Sequence, residues 1–238
     1  MPTSPDPVDR RPELSGVAGV PETAIGAALV DRLPDNLAPA PWECSLEAVV
    51  WLGRGGRTAG SAMAPALRGR ALGVLGGLVR YTATPVGAYD EALAIVLSAT
   101  GARAWGHVPF MAVDSEASLV GGRTNWAMPK TMATFTGGVG RGTTFSATGA
   151  DEARWRVSAT PTWVGPPLPL RALGQARQEF PGSRVGSSGL RGRGRVRPAL
   201  VQVEVESDGP LPSWLRPGRH LGAVVETAEF SLDAPTFG

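Results

Sequence analysis

The sequence predicts an α+β protein made mainly of antiparallel β-structure, with a sheet that is curled, or closed as a β-barrel or cone, around a pocket. Two observations favour this class. The 238 residues include 32 glycines and 22 prolines, and only 18% are charged, a composition typical of many short elements separated by turns rather than of a helical bundle. In addition, runs of β-branched and apolar residues recur along the chain, whereas helical patterns are brief.

The helical elements are expected to be short and few. The Pro- and Asp-rich start of the chain predicts a mobile tail, and we expect residues 1–38 to form an N-terminal segment with one short helix, followed by a single domain over 39–238. The helix after Val113 has Asp114 or Ser115 as its N-cap and Glu116 in its first turn, and the Gly121-Gly122 pair marks its end. The helices are predicted at 24–33, 61–72, 115–121 and 171–179.

The strands are indicated by β-branched and apolar runs between turn-forming residues. Loops or turns are expected at 54–57, 85–87 and 165–167, where Gly and Pro concentrate. Because side chains alternate along a strand, Lys130, Met132 and Thr134 would share one face. The strands are predicted at 43–52, 77–84, 91–100, 103–112, 130–139, 143–148, 154–160, 199–207 and 223–232.

Composition also excludes several classes of function. The first residues contain no apolar signal-peptide core, and the most apolar stretch, 71–79, is too short to span a bilayer, so we expect a cytoplasmic protein without a membrane partner. One cysteine, Cys44, and two histidines, His107 and His220, predict neither a disulfide within the chain nor a metal site. A net charge of +2 gives no general reason to bind nucleic acid.

One basic segment is an exception to this balance of charge. Residues 189–197 are rich in arginine and glycine, which is typical of some segments that bind single-stranded nucleic acid. The segment contains no aromatic residue on which a base could stack. We therefore interpret it as a solvated loop or an edge strand, and nucleic-acid binding is the least favoured of the functions considered.

Lys130 is the only lysine among 23 basic residues, and all the others are arginines. A plain need for positive charge at this position could have been met by arginine. Lysine differs because its amine can lose a proton and attack a carbonyl carbon, whereas a guanidinium stays protonated. The count alone is equally compatible with a lysine that is present by chance.

Two motifs give the lysine a context. Residues 122–130 read GRTNWAMPK, preceded by Val113-Asp114 and followed by a predicted strand; upstream, residues 79–81 read VRY and residues 87–91 read GAYDE. Together they resemble the acetoacetate decarboxylase family over roughly residues 40–233. The resemblance implies that Lys130 is a Schiff-base nucleophile and that Glu91 is a carboxylate facing it. It also implies that no cofactor is needed and that the protein is a homo-oligomer.

The chemistry explains why such groups are needed together. Loss of carbon dioxide from a β-keto acid leaves a carbanion, and a protonated imine serves as the electron sink for it. The amine must be neutral before it forms that imine, and in this family a desolvated lysine beside a second cation is the known solution. Thr131 stands where decarboxylating members have that second lysine, and Thr82 stands where a second glutamate is expected.

The remaining candidate residues have two open interpretations each. Arg123 either grips a substrate carboxylate and supplies positive charge, or belongs to a structural hydrogen-bond network. Tyr89, Trp126 and Met128 are either substrate contacts that form an apolar wall or ordinary core and turn residues. The sequence predicts a Schiff-base lyase, of decarboxylase or aldolase-dehydratase type, whose partner is a small oxo acid; the alternative is a protein of the same fold that binds a small molecule without turnover.

Overall fold

The computed structural model describes residues 11–150, 154–163 and 165–238. Most of the predicted mobile tail, residues 1–10, lies outside this part of the chain. Two 3-10 turns, Pro21–Thr23 and Pro65–Leu67, accompany the helices. The helices are α1 (Arg11–Ser15), α2 (Ala27–Arg32), α3 (Arg57–Ser61), α4 (Glu116–Trp126) and α5 (Leu211–Trp214).

Eleven strands within the described ranges form one sheet. They are β1 (Trp42–Gly56), β2 (Ala71–Ala83), β3 (Tyr89–Thr100), β4 (Arg103–Val113), β5 (Lys130–Gly137), β6 (Phe145–Gly149), β7 (Trp155–Trp163), β8 (Leu168–Phe180), β9 (Arg184–Ser207), β10 (Gly218–Leu232) and β11 (Thr236–Phe237).

The sheet curls until its path returns to its start. The strand order is β10-β1-β2-β3-β4-β5-β6-β7-β9, and β9 pairs again with β10. Among these eleven strands, the pairings of the described residues are antiparallel except β4 with β5 and a single-residue contact of β4 with β8. The predicted α+β class, with a curled and mainly antiparallel sheet and few short helices, is confirmed.

Strands β1 to β4 are covered on both faces. Alternate residues such as Val49 and Trp51 enter one apolar cluster, together with Phe110 and Phe145. The residues between them face a second cluster, which is built around Trp42, Tyr81, Tyr89, Leu119 and Trp126. Helix α4 and the N-terminal segment cover this second face, and the candidate site lies there.

Two of the helix predictions made from the sequence, at 61–72 and 171–179, are wrong. The segment 61–72 is divided between the end of α3, the turn at Pro65–Leu67 and the start of β2, because Pro65 cannot continue a helix from α3. The segment 171–179 is part of β8, which pairs with β9 along its whole length. Its Leu, Ala, Arg and Gln residues favour a helix locally, and the pairing overrides that preference.

The expected loop at 54–57 and the loop or edge strand at 189–197 are also wrong. Strand β1 continues to Gly56, which pairs with Ala71 of β2. Residues 189–197 lie inside β9, between β8 and β10. Their arginines alternate along the strand and form ion pairs with acidic residues of β10 and just after it: Arg191 with Asp233, Arg193 with Glu229, and Arg195 and Arg197 with Glu226.

Among the described residues, no helix has the length and apolar character needed to cross a bilayer. The cytoplasmic location, the homo-oligomer and the boundary near residue 38 stay predictions.

Candidate active site

Helix α4 and the turn after it place the lysine. Ser115 caps the helix, since its hydroxyl accepts a hydrogen bond from the backbone N–H of Ser118 at 3.2 Å. The helix ends where Ala127 takes a left-handed conformation with φ of 51°, not at the predicted Gly121-Gly122 pair. The chain then enters β5, where Lys130 is in register with Met111 of the parallel strand β4.

The buried side chain of Arg123 stabilises the turn between α4 and β5. Its buried guanidinium donates three hydrogen bonds of 2.5–2.6 Å to the backbone carbonyls of Leu14, Thr23 and Lys130. Burial lowers the pKa of Arg123 to about 10. The side chain joins the N-terminal segment, α4 and β5, and it is not among the described residues that line the cavity around Lys130.

The amine of Lys130 is held among polar groups in a buried site. Only 4% of its side chain is exposed. Nζ lies 2.8 Å from Ser118 Oγ and 3.4 Å from the Tyr89 hydroxyl, both of which accept hydrogen bonds from it. It also lies 5.0 Å from the ring centroid of Tyr89 and 5.8 Å from that of Trp42, within the range of cation–π attraction.

Glu91 is the counter-ion of this amine. Its Oε2 lies 2.9 Å from Lys130 Nζ, and its side chain is 2% exposed. The contact is an ion pair without hydrogen-bond alignment, and no described residue donates a hydrogen bond to Oε2. The other oxygen, Oε1, accepts a hydrogen bond of 3.3 Å from the Tyr81 hydroxyl. One carboxylate oxygen next to the amine is therefore available for proton exchange.

The low polarity of the site shifts its other titratable groups. Burial, and then the negative charge of Glu91, hold the pKa values of Tyr81 and Tyr89 well above the usual tyrosine value. The same two causes raise the pKa of Cys44 to about 12, although Lys130 opposes them. Both phenols and the thiol are therefore neutral near pH 7.

These groups border a cavity of about 210 Å³, which we call the lysine cavity. Among the described residues that line it, Lys130 and Glu91 are the only charged ones. The rest of the wall is aromatic and aliphatic and includes Val50, Val79, Leu93, Ile95, Val108 and Met111.

Five of the six residues predicted for the site line this cavity: Lys130, Glu91, Tyr89, Trp126 and Met128. The exception is Arg123, whose contacts match the structural network that the sequence left open. Thr131 is buried on the opposite face of β5 from Lys130. Thr82 is exposed, and its neighbour Tyr81 lines the cavity instead.

Sequence reasoning missed four residues of the site: Ser118, Tyr81, Trp42 and Cys44. Tyr81 lay within a recognised motif, and its alternation with Thr82 could have identified it. The other three approach Lys130 only through tertiary packing. No cluster of three or more His, Cys, Asp or Glu side chains within residues 11–150, 154–163 and 165–238 is arranged to hold a metal ion.

One protein family and several solved structures are similar to this chain. The family model of acetoacetate decarboxylase matches residues 71–185, which include Glu91 and Lys130. No curated protein sequence matches the chain.

Several solved structures share the fold. An acetoacetate decarboxylase-like enzyme from Sphingomonas wittichii RW1 superposes with a TM-score of 0.66 at 16% identity, over 86% of this chain and 95% of that one. Acetoacetate decarboxylase from Legionella pneumophila gives a TM-score of 0.62 at 12% identity, over 87% and 90%. The enduracididine biosynthesis enzyme MppR, in complex with the condensation product of pyruvate and imidazole 4-carboxaldehyde, gives 0.58 at 16% identity, over 84% and 90%.

The matched family model covers the strand that carries the buried glutamate, the helix beside it and the strand that begins with the lysine. Over residues 71–185 the chain matches the acetoacetate decarboxylase family as a divergent sequence, and it shares its fold with acetoacetate decarboxylase-like enzymes.

Proposed function

We propose that this protein is a Schiff-base-forming lyase in which Lys130 condenses with the carbonyl group of an oxo acid. The observation that carries the proposal is the position of the Lys130 amine, which borders a largely apolar cavity and lies 2.9 Å from the carboxylate of Glu91. A buried amine beside a carboxylate with a free oxygen has both the nucleophile and the proton carrier that imine formation needs.

The proton transfers balance between these two side chains. Glu91 accepts a proton from Nζ, and the neutral amine then adds to the carbonyl carbon to give a carbinolamine. Glu91 returns the proton to the carbinolamine hydroxyl, which leaves as water, and a protonated imine remains. Ser118 and Tyr89 hold Nζ in place at the start, because both accept hydrogen bonds from it.

Two reactions can follow from the protonated imine. A 3-oxo acid loses carbon dioxide as the bonding pair moves into the imine; the resulting enamine takes up a proton at carbon, and water releases the ketone and the free lysine. A 2-oxo acid whose C3 is a methyl or methylene carbon instead loses a proton from C3. The resulting enamine then adds to an aldehyde. Among the described residues that line the cavity, Lys130 is the only cation that could bind a substrate carboxylate, and Glu91 repels such a group. This repulsion favours its departure as neutral carbon dioxide.

Binding without turnover is favoured by one observation. The lysine cavity contains no second cation among its described lining residues, and Thr131 faces away from it. A protein of this kind would bind a carbonyl compound saturably and release no product.

Turnover assays with a panel of 2- and 3-oxo acids, with and without an added aldehyde, test the proposal. Carbon dioxide and new carbon–carbon products are measured by mass spectrometry. The control is the double variant K130M/E91Q, because removing only one member of a buried ion pair would leave the other charge unpaired. We expect product with at least one acid and none with the double variant. Equal turnover by the variant would overturn the role of Lys130, and saturable binding without product would favour the non-catalytic function.

A further inference from the structure

An apolar groove opens to solvent beside the lysine cavity. It has a volume of about 550 Å³, and three exposed leucines from different strands border it: Leu52 of β1, Leu72 of β2 and Leu173 of β8, with exposures of 55%, 57% and 86%. We call it the leucine groove. Large aliphatic side chains that cluster in the open in this way are typical of binding surfaces.

The groove continues directly from the cavity. Four residues, Ile95, Val108, Ala176 and Leu190, line both spaces. Along β3, Glu91, Leu93, Ile95 and Leu97 alternate onto one face, so this strand leads from the reactive amine to the groove.

Burial decreases in the same direction along the strand. Glu91 is buried, whereas Leu93, Ile95 and Leu97 are each partly exposed. The six steps along the strand from Glu91 to Leu97 correspond to a distance of about 20 Å.

The two linings differ in charge, which is confined to the lysine cavity among the described residues. The described residues that line the leucine groove include no charged side chain, and its polar side chains, apart from the Trp105 indole, are Ser98 and Gln175. The charged pair of Lys130 and Glu91 lies at the inner end. A molecule that fills both spaces therefore has one polar, carbonyl-bearing end and a hydrocarbon chain.

A second surface cavity is a poorer route for such a molecule. It shares Cys44 and Phe230 with the lysine cavity, and Arg191 and Arg193 line it. Both arginines form ion pairs, with Asp233 and Glu229, and their side chains are 65% and 79% exposed. Exposed and paired guanidinium groups neither attract an apolar chain nor offer an unpartnered cation to a carboxylate.

We propose that the leucine groove is the subsite for an unbranched alkyl chain of the Schiff-base substrate. The inference rests on the proposed function and names its substrate class: a 3-oxo acid, R–CO–CH2–COO⁻, in which R is a hydrocarbon chain. One proton is taken up and carbon dioxide is lost, so the product is the methyl ketone R–CO–CH3. The carbonyl carbon lies at Lys130 Nζ, and R extends past Leu93 and Ile95 into the groove.

Borohydride trapping with a homologous series of straight-chain methyl ketones tests this assignment without any contribution from a carboxylate. The apparent trapping rate at low ketone concentration is measured for each chain length. We expect it to rise by about fourfold for each methylene that becomes buried, up to the length that fills the groove. The variants L173N and L52N should each reduce the ratio of long-chain to short-chain trapping by roughly fourfold.

The variant L221N is the matched control, because Leu221 is also an exposed strand leucine, 72% accessible, and borders neither space. It should keep the wild-type ratio. The wild-type series decides the question even if a groove variant does not fold.

The outcomes separate the two proposals. Adducts that form equally well at every chain length would overturn the alkyl subsite and leave the Schiff base intact, whereas no adduct with any ketone or oxo acid would overturn both. If the groove is instead a contact between two copies of the chain, the length series is flat and L173N lowers the mass measured by light scattering. That result would also overturn the subsite.

Discussion

Gly122 lies directly against the alkyl chain of Lys130. A Cβ placed on Gly122 would lie 2.5 Å from both Cδ and Cε of the lysine, which is closer than carbon atoms approach without bonding. Its neighbour Gly121 has the same relationship to Trp42, whose ring atoms would lie 2.5 and 2.7 Å from an added Cβ. The glycine pair therefore does not end α4; it allows the helix to pack closely over the reactive side chain.

The variant G122A should displace the amine. The added methyl group would push the buried lysine chain away from Glu91 and Ser118, and a misplacement of about 1 Å can reduce a reaction rate by about 100-fold. Trapping rates with an oxo acid measure the effect, and G69A is the matched control because its Cβ would lie no closer than 3.9 Å to another residue. An unchanged rate in G122A would contradict the need for this packing.

Replacing Arg123 should destabilise the fold as well as the site. In R123K, a single ammonium group cannot reach all three carbonyls that the guanidinium now satisfies, and each buried carbonyl left unpaired costs about 1–3 kcal/mol. Denaturant unfolding should show a loss of several kcal/mol. The control is R32K, since the ion pair of Arg32 with Glu116 is exposed and contributes less than about 1 kcal/mol. Equal stabilities of the two variants would refute the role of Arg123.

The two tyrosines of the chain both lie in the site, so tyrosinate absorbance reports on it directly. Their pKa values are raised, first by burial and then by Glu91. In the native protein we expect no titration near pH 10, and E91Q should shift the titration to lower pH than in the wild type. Titration at pH 10 in the folded wild type would show that the phenols reach solvent.

The same shift has a consequence for stability at high pH. A raised pKa in the folded state means that the unfolded chain loses its phenolic protons first. The contribution of the two tyrosines to stability should therefore be constant below about pH 10 and fall above it, by up to about 1.4 kcal/mol per pH unit for each tyrosine, in addition to the fall above about pH 9 that the raised pKa of Cys44 predicts. Chemical denaturation across this range, with Y81F and Y89F as controls, measures the slope.

His107 predicts a loss of stability in acid. Burial lowers its pKa from 6.5 to about 4, and its Nε2 accepts a hydrogen bond from the backbone N–H of Ala64. Since the unfolded chain takes up this proton first, stability should fall by about 3 kcal/mol as the pH falls from 6.5 through 4. The pH-dependent part should diminish in H107Q and persist in H220Q, which alters the half-buried histidine of β10. An identical acid profile in H107Q would contradict this assignment.

The sequence predicted those parts of the fold and site that depend on local pattern. Strands β2 to β5 follow from runs of β-branched and apolar residues, whereas the pairing of Lys130 with Glu91 was implied only by the resemblance of two short motifs to the acetoacetate decarboxylase family. Contacts between distant segments were not accessible in this way. The approach of Ser118 to the amine depends on how α4 lies over β5. The role of Arg123 depends on the carbonyls of Leu14 and Thr23, which are 109 and 100 positions away in the sequence.

The prediction of a helix at 171–179 was wrong for the same reason. The local composition of this segment favours a helix, and its pairing with β9 makes it part of strand β8. The arginines of segment 189–197 are likewise explained by the sheet, because Arg193 and Arg197 form ion pairs with residues of β10.

Reduction of a trapped imine at Lys130 tests the central claim most directly. The chain has one lysine, so a side-chain adduct can form at only one position, and peptide mapping separates it from any adduct at the N-terminal amine. We predict that borohydride in the presence of a suitable oxo acid adds one reduced substrate to the peptide containing Lys130, and none to that peptide in K130M/E91Q. Unmodified Lys130 after treatment with the whole panel of 2- and 3-oxo acids and ketones would contradict the account.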